Sequence, residues 1–100
     1  MRILHEQERA ALAGREVTAR LLAKRFAAKE AAAKALGTGF RNGMRLTDIA
    51  VDHDALGRPM LVLHGQARVR AEQLGVTRID ISLSDERSHA LAFVIMSRDG

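Results

Sequence analysis

Apolar residues recur at helical spacing through the first third of the chain and at strand spacing through much of the rest. Residues 5–13 mix Glu, Arg, Ala and Leu, all good helix formers, and Gly14 is placed to end that helix. Thr18 is placed to cap a longer helix that runs to Leu36, with Gly37 just past its end, where a helix-terminating glycine belongs. Gly37-Thr38-Gly39 reads as a tight loop and Asn42-Gly43 as a second turn. From Asp48 the period shortens to two. Ile49, Val51 and His53 alternate with Ala50 and Asp52, which predicts a strand. Leu56-Gly57-Arg58-Pro59 then turns the chain, and Leu61-Val62-Leu63 returns as the second arm of a hairpin. Residues 66–74 predict a short basic helix closed by Gly75, and residues 79–83 and 90–96 predict two more strands. The polar turn Ser84-Asp85-Glu86-Arg87 links them. This order predicts an α+β fold in a single domain, residues 1–100, with an antiparallel sheet packed on a long central helix.

On a wheel of about 100° per residue, Leu22, Phe26, Ala33 and Leu36 of the long helix form one stripe that should face the core. Lys29 falls inside that stripe, Glu30 sits at its edge, and Lys34 lies one turn beyond Glu30. A charge on an apolar face must be paired or bound to something. One reading is structural: Lys29 snorkels to solvent, and Glu30 and Lys34 form an ordinary surface pair. The other reading is a site, with a carboxylate for a hard cation and two lysines for phosphate oxygens.

Composition narrows the chemistry. The 100 residues contain no cysteine, which excludes disulfides and thiolate catalysis and fits a reducing compartment. No stretch approaches the roughly 20 apolar residues of a membrane span, so no membrane partner is expected. The first six residues turn polar too early for a signal peptide, and a cytoplasmic location is expected. The net charge of +4 suits an anionic partner: nucleic acid, a phosphorylated cofactor or an acidic protein. Arg68 and Arg70 on one helix are the best argument for nucleic acid. Against it, the three aromatics Phe26, Phe40 and Phe93 are not interleaved with basic residues, and no helix-turn-helix is legible, so no nucleic acid is expected. His5, His53, His64 and His89 lack metal-ligand spacing and read as structural or surface residues. Ser82 and Ser84 lack the Gly-x-Ser-x-Gly context of a hydrolase nucleophile, and Asp85 and Glu86 read as part of a solvated turn.

The wording of the long helix is more specific than its periodicity. The run from Leu22 through Phe26, Lys29-Glu30-Ala31 and Lys34 to Gly37-Thr38-Gly39 closely resembles the signature helix and loop of phosphopantetheinyl transferases of the carrier-protein synthase type. Arg41-Asn42-Gly43, the stretch Asp54-Ala55-Leu56-Gly57-Arg58-Pro59 and the segment from Ser82 to Arg87 are similar to that family too. The resemblance implies transfer of 4′-phosphopantetheine from coenzyme A to a serine of acyl carrier protein, with Mg2+ as cofactor and a homotrimer as the assembly. It implies Glu30 as magnesium ligand and aid to the attacking serine, and Lys29 and Lys34 as holders of the coenzyme A phosphates that also steady the leaving 3′,5′-ADP. Gly37, Thr38 and Gly39 would let the cofactor approach the backbone. Arg2, Arg9, Arg15 and Arg20 would offer a basic face to the acidic carrier protein.

One family feature has no counterpart. The amino-terminal strand of Gly-Ile-Gly-Thr-Asp-Ile type, whose Asp is the second protein ligand to magnesium, is absent, and the sequence begins inside what resembles the helix after it. This amino-terminally shortened form keeps an alternative open: a non-catalytic trimeric module that binds coenzyme A and carrier protein.

Overall fold

The computed structural model describes residues 2–41, 43–85 and 89–98. The chain enters through α1 (Glu6–Ala11), capped by His5. The His5 ring Nδ1 accepts the Gln7 amide at 2.9 Å, and the Glu8 carboxylate accepts the His5 amide at 3.0 Å. The helix is shorter than the predicted 5–13 because the backbone leaves it at Leu12, whose side chain turns into the core.

The central helix α2 (Ala19–Ala35) begins as predicted, with Thr18 Oγ1 accepting the Leu21 amide at 3.1 Å. Its other end closes on Gly37, which holds φ +81°. The Gly37 amide donates to the Lys34 carbonyl at 2.9 Å and the Thr38 amide to the Ala33 carbonyl at 3.3 Å, the paired bonds of a Schellman cap.

A 3-10 turn over Leu46–Asp48, which periodicity does not announce, leads into β1 (Ile49–His53). Asp54 then organises the turn by accepting the Leu56 and Arg58 amides, each at 2.9 Å. The Arg58 amide, with help from that of Leu56 and from the Arg58 side chain, holds the Asp54 carboxyl below the usual carboxylate range. The chain returns in β2 (Pro59–Leu63), with Val51 opposite Leu61. α3 (Gly65–Leu74) follows and stops at Gly75 in the left-handed region. Gly65 itself has φ +50°, and a Cβ there would lie 2.8 Å from Asp48 Oδ1, so the residue that opens α3 must be glycine. β3 (Arg78–Asp85) and β4 (Ala90–Ser97) complete the fold, with Ile81 opposite Val94. Ser84, expected in the linking turn, belongs to β3. Asn42, Glu86 and Arg87 lie outside the described residues.

Among the described residues the strands form two antiparallel hairpins, and α2 lies against β4, β3 and β1. This is the predicted α+β arrangement on a central helix. The buried face of α2 differs from the predicted stripe. Arg25, Ala28, Lys29, Ala32, Ala33 and Leu36 are buried, whereas Leu22 and Phe26 are half-buried. Alanine lets backbones approach closely, so Ala32, Ala33 and Leu36 meet Ile49, Ala67 and Ala71 in the core. Phe26, too large for that contact, lines a cavity of about 520 Å³ with Phe40, Met44 and Leu46. Ile49, Ala50 and Val51 are all buried, so β1 is covered on both faces despite its alternating sequence.

Candidate active site

Rotation of α2 decides what each of its charged residues can do. Lys29 points inward and is completely buried. Its ammonium donates to Glu8 Oε1, to the Leu46 carbonyl at 3.0 Å and to the Ile49 carbonyl. An ammonium has three hydrogens, and all three are used. Burial lowers the Lys29 pKa, opposed by the hydrogen bond and charge of Glu8. The expectation that Lys29 holds a coenzyme A phosphate is therefore corrected: it has no donor left to offer and no route to solvent. The structural alternative was also wrong in detail, since Lys29 does not snorkel.

Glu30 and Lys34 lie about 100° and about 140° further round the helix from Lys29. Glu30 is half-buried and Lys34 exposed. The surface pair that their spacing allows is not made, and neither has a hydrogen-bond or ion-pair partner among the described residues. Among the described residues an unpaired, half-buried carboxylate and an unpaired, exposed ammonium thus stand one turn apart. Lys24, Ala27 and Ala31 share their face of the helix at about 100° per residue. Ala27 and Ala31 are half-buried there and add little bulk between the charges.

The Gly37-Thr38-Gly39 loop follows directly. The Thr38 and Gly39 amides both donate to the Ala33 carbonyl, at 3.3 and 3.1 Å, so these two N–H groups serve the helix end. Thr38 Oγ1 donates to the Gly39 carbonyl at 3.0 Å. A Cβ built on Gly39 meets nothing within 4 Å, so this glycine leaves open space for a ligand. Arg70 caps the same helix end, its Nε donating to the Leu36 carbonyl at 3.0 Å. Gly37, Thr38, Arg41 and Arg70 line a cavity of about 350 Å³.

The basic residues divide among several surfaces. Arg15 and Arg20 line a cavity of about 460 Å³ with Lys24, Arg25 and His53. Arg2 and Arg9 border a shallower one beside Val17 and Leu22. Arg68 is occupied by Glu72 at 3.1 Å. Histidines 5 and 64 stack at 4.0 Å between ring centroids, a structural role as expected. His64 also meets the Gln7 amide oxygen at 3.2 Å, and burial, then the nearby His5, lowers its pKa.

The residue that sequence reasoning missed is Glu8. It is buried and accepts from both Lys29 and Arg25, the latter at 2.9 Å. A lysine on the inner face of a helix signals that a buried carboxylate must exist somewhere. Nothing in the sequence selects Glu8 over Glu6 or Glu16.

Comparison with known proteins identifies the family and the fold. The family model of the 4′-phosphopantetheinyl transferase superfamily matches residues 1–94. The holo-[acyl-carrier-protein] synthase of Alkalilimnicola ehrlichii is 58% identical over 96 residues, covering 95% of this chain and 75% of the relative. The crystal structure of the synthase from Neisseria meningitidis superposes with a TM-score of 0.84 at 42% identity, covering 97% of this chain and 78% of that one. A synthase from Bacillus anthracis, solved in complex with coenzyme A (3′,5′-ADP), has a TM-score of 0.76 at 32% identity, with 98% of this chain and 78% of that one covered. The chain belongs to the holo-[acyl-carrier-protein] synthase family within the 4′-phosphopantetheinyl transferase superfamily, and is a transferase by that membership.

Proposed function

We propose that the chain transfers 4′-phosphopantetheine from coenzyme A to a serine hydroxyl of apo acyl carrier protein, in a Mg2+-dependent reaction that releases 3′,5′-ADP. The observation that carries this reading is the unpaired, accessible Glu30 one turn from the unpaired, exposed Lys34 on the outer face of α2. The coenzyme A complex of the Bacillus anthracis relative supports the choice of substrate.

Among the described residues no three His, Cys, Asp or Glu side chains converge into a metal cage. Magnesium does not need one: it keeps waters and takes substrate phosphate oxygens with one or two carboxylates. A lone accessible Glu30 fits that habit. When bound, the ion would neutralise charge on the pyrophosphate. The Glu30 carboxylate, which would also hold the ion, accepts the hydrogen bond of the carrier serine, orients its hydroxyl and takes its proton. The serine oxygen forms a bond to the β-phosphorus as the bond from that phosphorus to the bridging oxygen breaks. The electron pair leaves on the 5′-phosphate of 3′,5′-ADP, where the Lys34 ammonium meets it. A helix C-terminus repels anions, but here the last carbonyls already have donors from Gly37, Thr38 and Arg70.

Lys24 lies six residues before Glu30, about 9 Å along the axis at about 1.5 Å per residue. That spacing suits an adenosine phosphate held in the basic cavity of Arg15, Arg20 and Lys24 while the pyrophosphate lies at Glu30. Gly39 leaves space beside the pyrophosphate, and Gly37 and Thr38 fix the loop that provides it. Arg2 and Arg9 extend the positive face toward an acidic carrier protein. The outer face of β4 exposes Leu91, Phe93 and Ile95, the last two by 67% and 65%. An apolar stripe of this kind supports a homotrimer joined through β4. The cysteine-free composition is in keeping with the cytoplasm.

Calorimetric titration with coenzyme A tests the site. Binding should tighten with Mg2+, lose that dependence in Glu30→Gln, and weaken in Lys34→Ala. Affinity indifferent to Mg2+ and to both substitutions would remove Glu30 and Lys34 from the reading.

A further inference from the structure

Four segments meet around one buried cluster of three charges. Glu8 of α1 accepts from the His5 amide, from Arg25 and from Lys29. Arg25 also donates to the Val51 carbonyl at 2.9 Å, and Lys29 to the carbonyls of Leu46 and Ile49. The cluster therefore joins α1, α2, the 3-10 turn and β1. The side chains of Glu8 and Lys29 are wholly buried and that of Arg25 is 9% exposed.

Position along and around α2 is otherwise weakly specified. Its inner surface is built largely of Ala28, Ala32 and Ala33, which present few projections to interlock with neighbours. A smooth surface tolerates small rotations and slides. Directional hydrogen bonds to fixed carbonyls and a carboxylate do not. Buried polar groups can specify one arrangement where apolar packing permits several. Lys29 directly precedes Glu30, so the direction of the first fixes that of the second, about 100° further round the helix. A rotation of α2 by one residue step, about 100°, would carry Lys29 away from the carbonyls it bonds and move Glu30 with it.

We infer that Glu8 is a positioning residue for the transfer site: through Lys29 and Arg25 it fixes the rotation and register of α2, and so the placement of Glu30 and Lys34. Glu8 touches no substrate in this account. The inference rests on the functional reading of Glu30 and Lys34 given above.

Two variants test it. Glu8→Asp keeps the charge but withdraws the carboxylate by one methylene, so the buried cations stay compensated. Glu8→Gln/Lys29→Met removes both charges together and leaves no unpaired ion from this pair. In Glu8→Asp the backbone amide NMR shifts from Glu30 to Lys34 should move while helix content stays constant. The affinity for coenzyme A with Mg2+ should fall, and kcat should fall by about 10-fold or more with a smaller change in KM, since small misplacements are costly at a reacting centre. The double variant, if folded, should show the same loss of kcat even with a wild-type melting temperature. Unchanged amide shifts and unchanged kcat in Glu8→Asp would overturn the inference, whether or not the double variant folds. A wild-type chain that neither binds coenzyme A nor transfers counts against the functional reading alone, because the amide shifts report α2 placement without any ligand.

Discussion

The Lys29 ammonium and the Glu8 carboxylate form an ion pair, and both side chains are wholly excluded from solvent. Removing one partner of a buried pair strands the other, at a cost of about 3–5 kcal/mol. Lys29→Ala and Glu8→Ala should each lose stability on that scale in urea denaturation. Arg58 and Asp54 form a pair at 2.9 Å with the Arg58 side chain 73% exposed. Arg58→Ala should cost less than about 1 kcal/mol. Equal losses at the two sites would contradict the buried cage.

Stability should also depend on pH through His64. Burial, then the charge of His5, holds its folded-state pKa below the ordinary 6.5, against the pull of Asp48 and Glu8; Arg68 also lowers it. Between the folded value and 6.5 the unfolded chain binds the proton more readily. Above that window both states are neutral and the full stability is present. Stability is then lost as pH falls through 6.5 toward the folded value. Urea midpoints from about pH 8 to about pH 5 should fall on the acid side, and His64→Gln should flatten that part of the profile. A steep fall that persists in His64→Gln would assign the effect elsewhere.

The exposed stripe on β4 predicts an assembly. Phe93→Ser with Ile95→Ser should shift sedimentation toward the monomer and leave the circular dichroism of the folded chain intact, because both side chains face outward. A wild-type chain that is monomeric at all concentrations would contradict the trimer.

Element types were legible in the sequence because their signals are local. Thr18 before an Ala- and Leu-rich run, and Gly37 and Gly75 after one, marked the helix ends where the structure has them. The 3-10 turn at Leu46–Asp48 was not legible, being too short to carry a period. The buried face of α2 was misjudged because the wheel weighted Leu22 and Phe26 by hydrophobicity, whereas close approach of the sheet selected Ala28, Ala32 and Ala33. The charged motif was visible in sequence, but the division of labour within it was not. Lys29 and Glu30 are adjacent in the chain, yet one is sealed in the core and the other half-buried at its edge, and Glu8, 21 residues before Lys29, gives no local sign of its partner.

The most direct measurement is the mass of an apo acyl carrier protein after incubation with the chain, coenzyme A and Mg2+. Transfer predicts a gain of one phosphopantetheine on the carrier, no gain with Glu30→Gln, and release of 3′,5′-ADP in equal amount. A carrier protein that stays unmodified by the folded wild-type chain, or one modified equally by Glu30→Gln, would contradict the assignment of transfer to the outer face of α2.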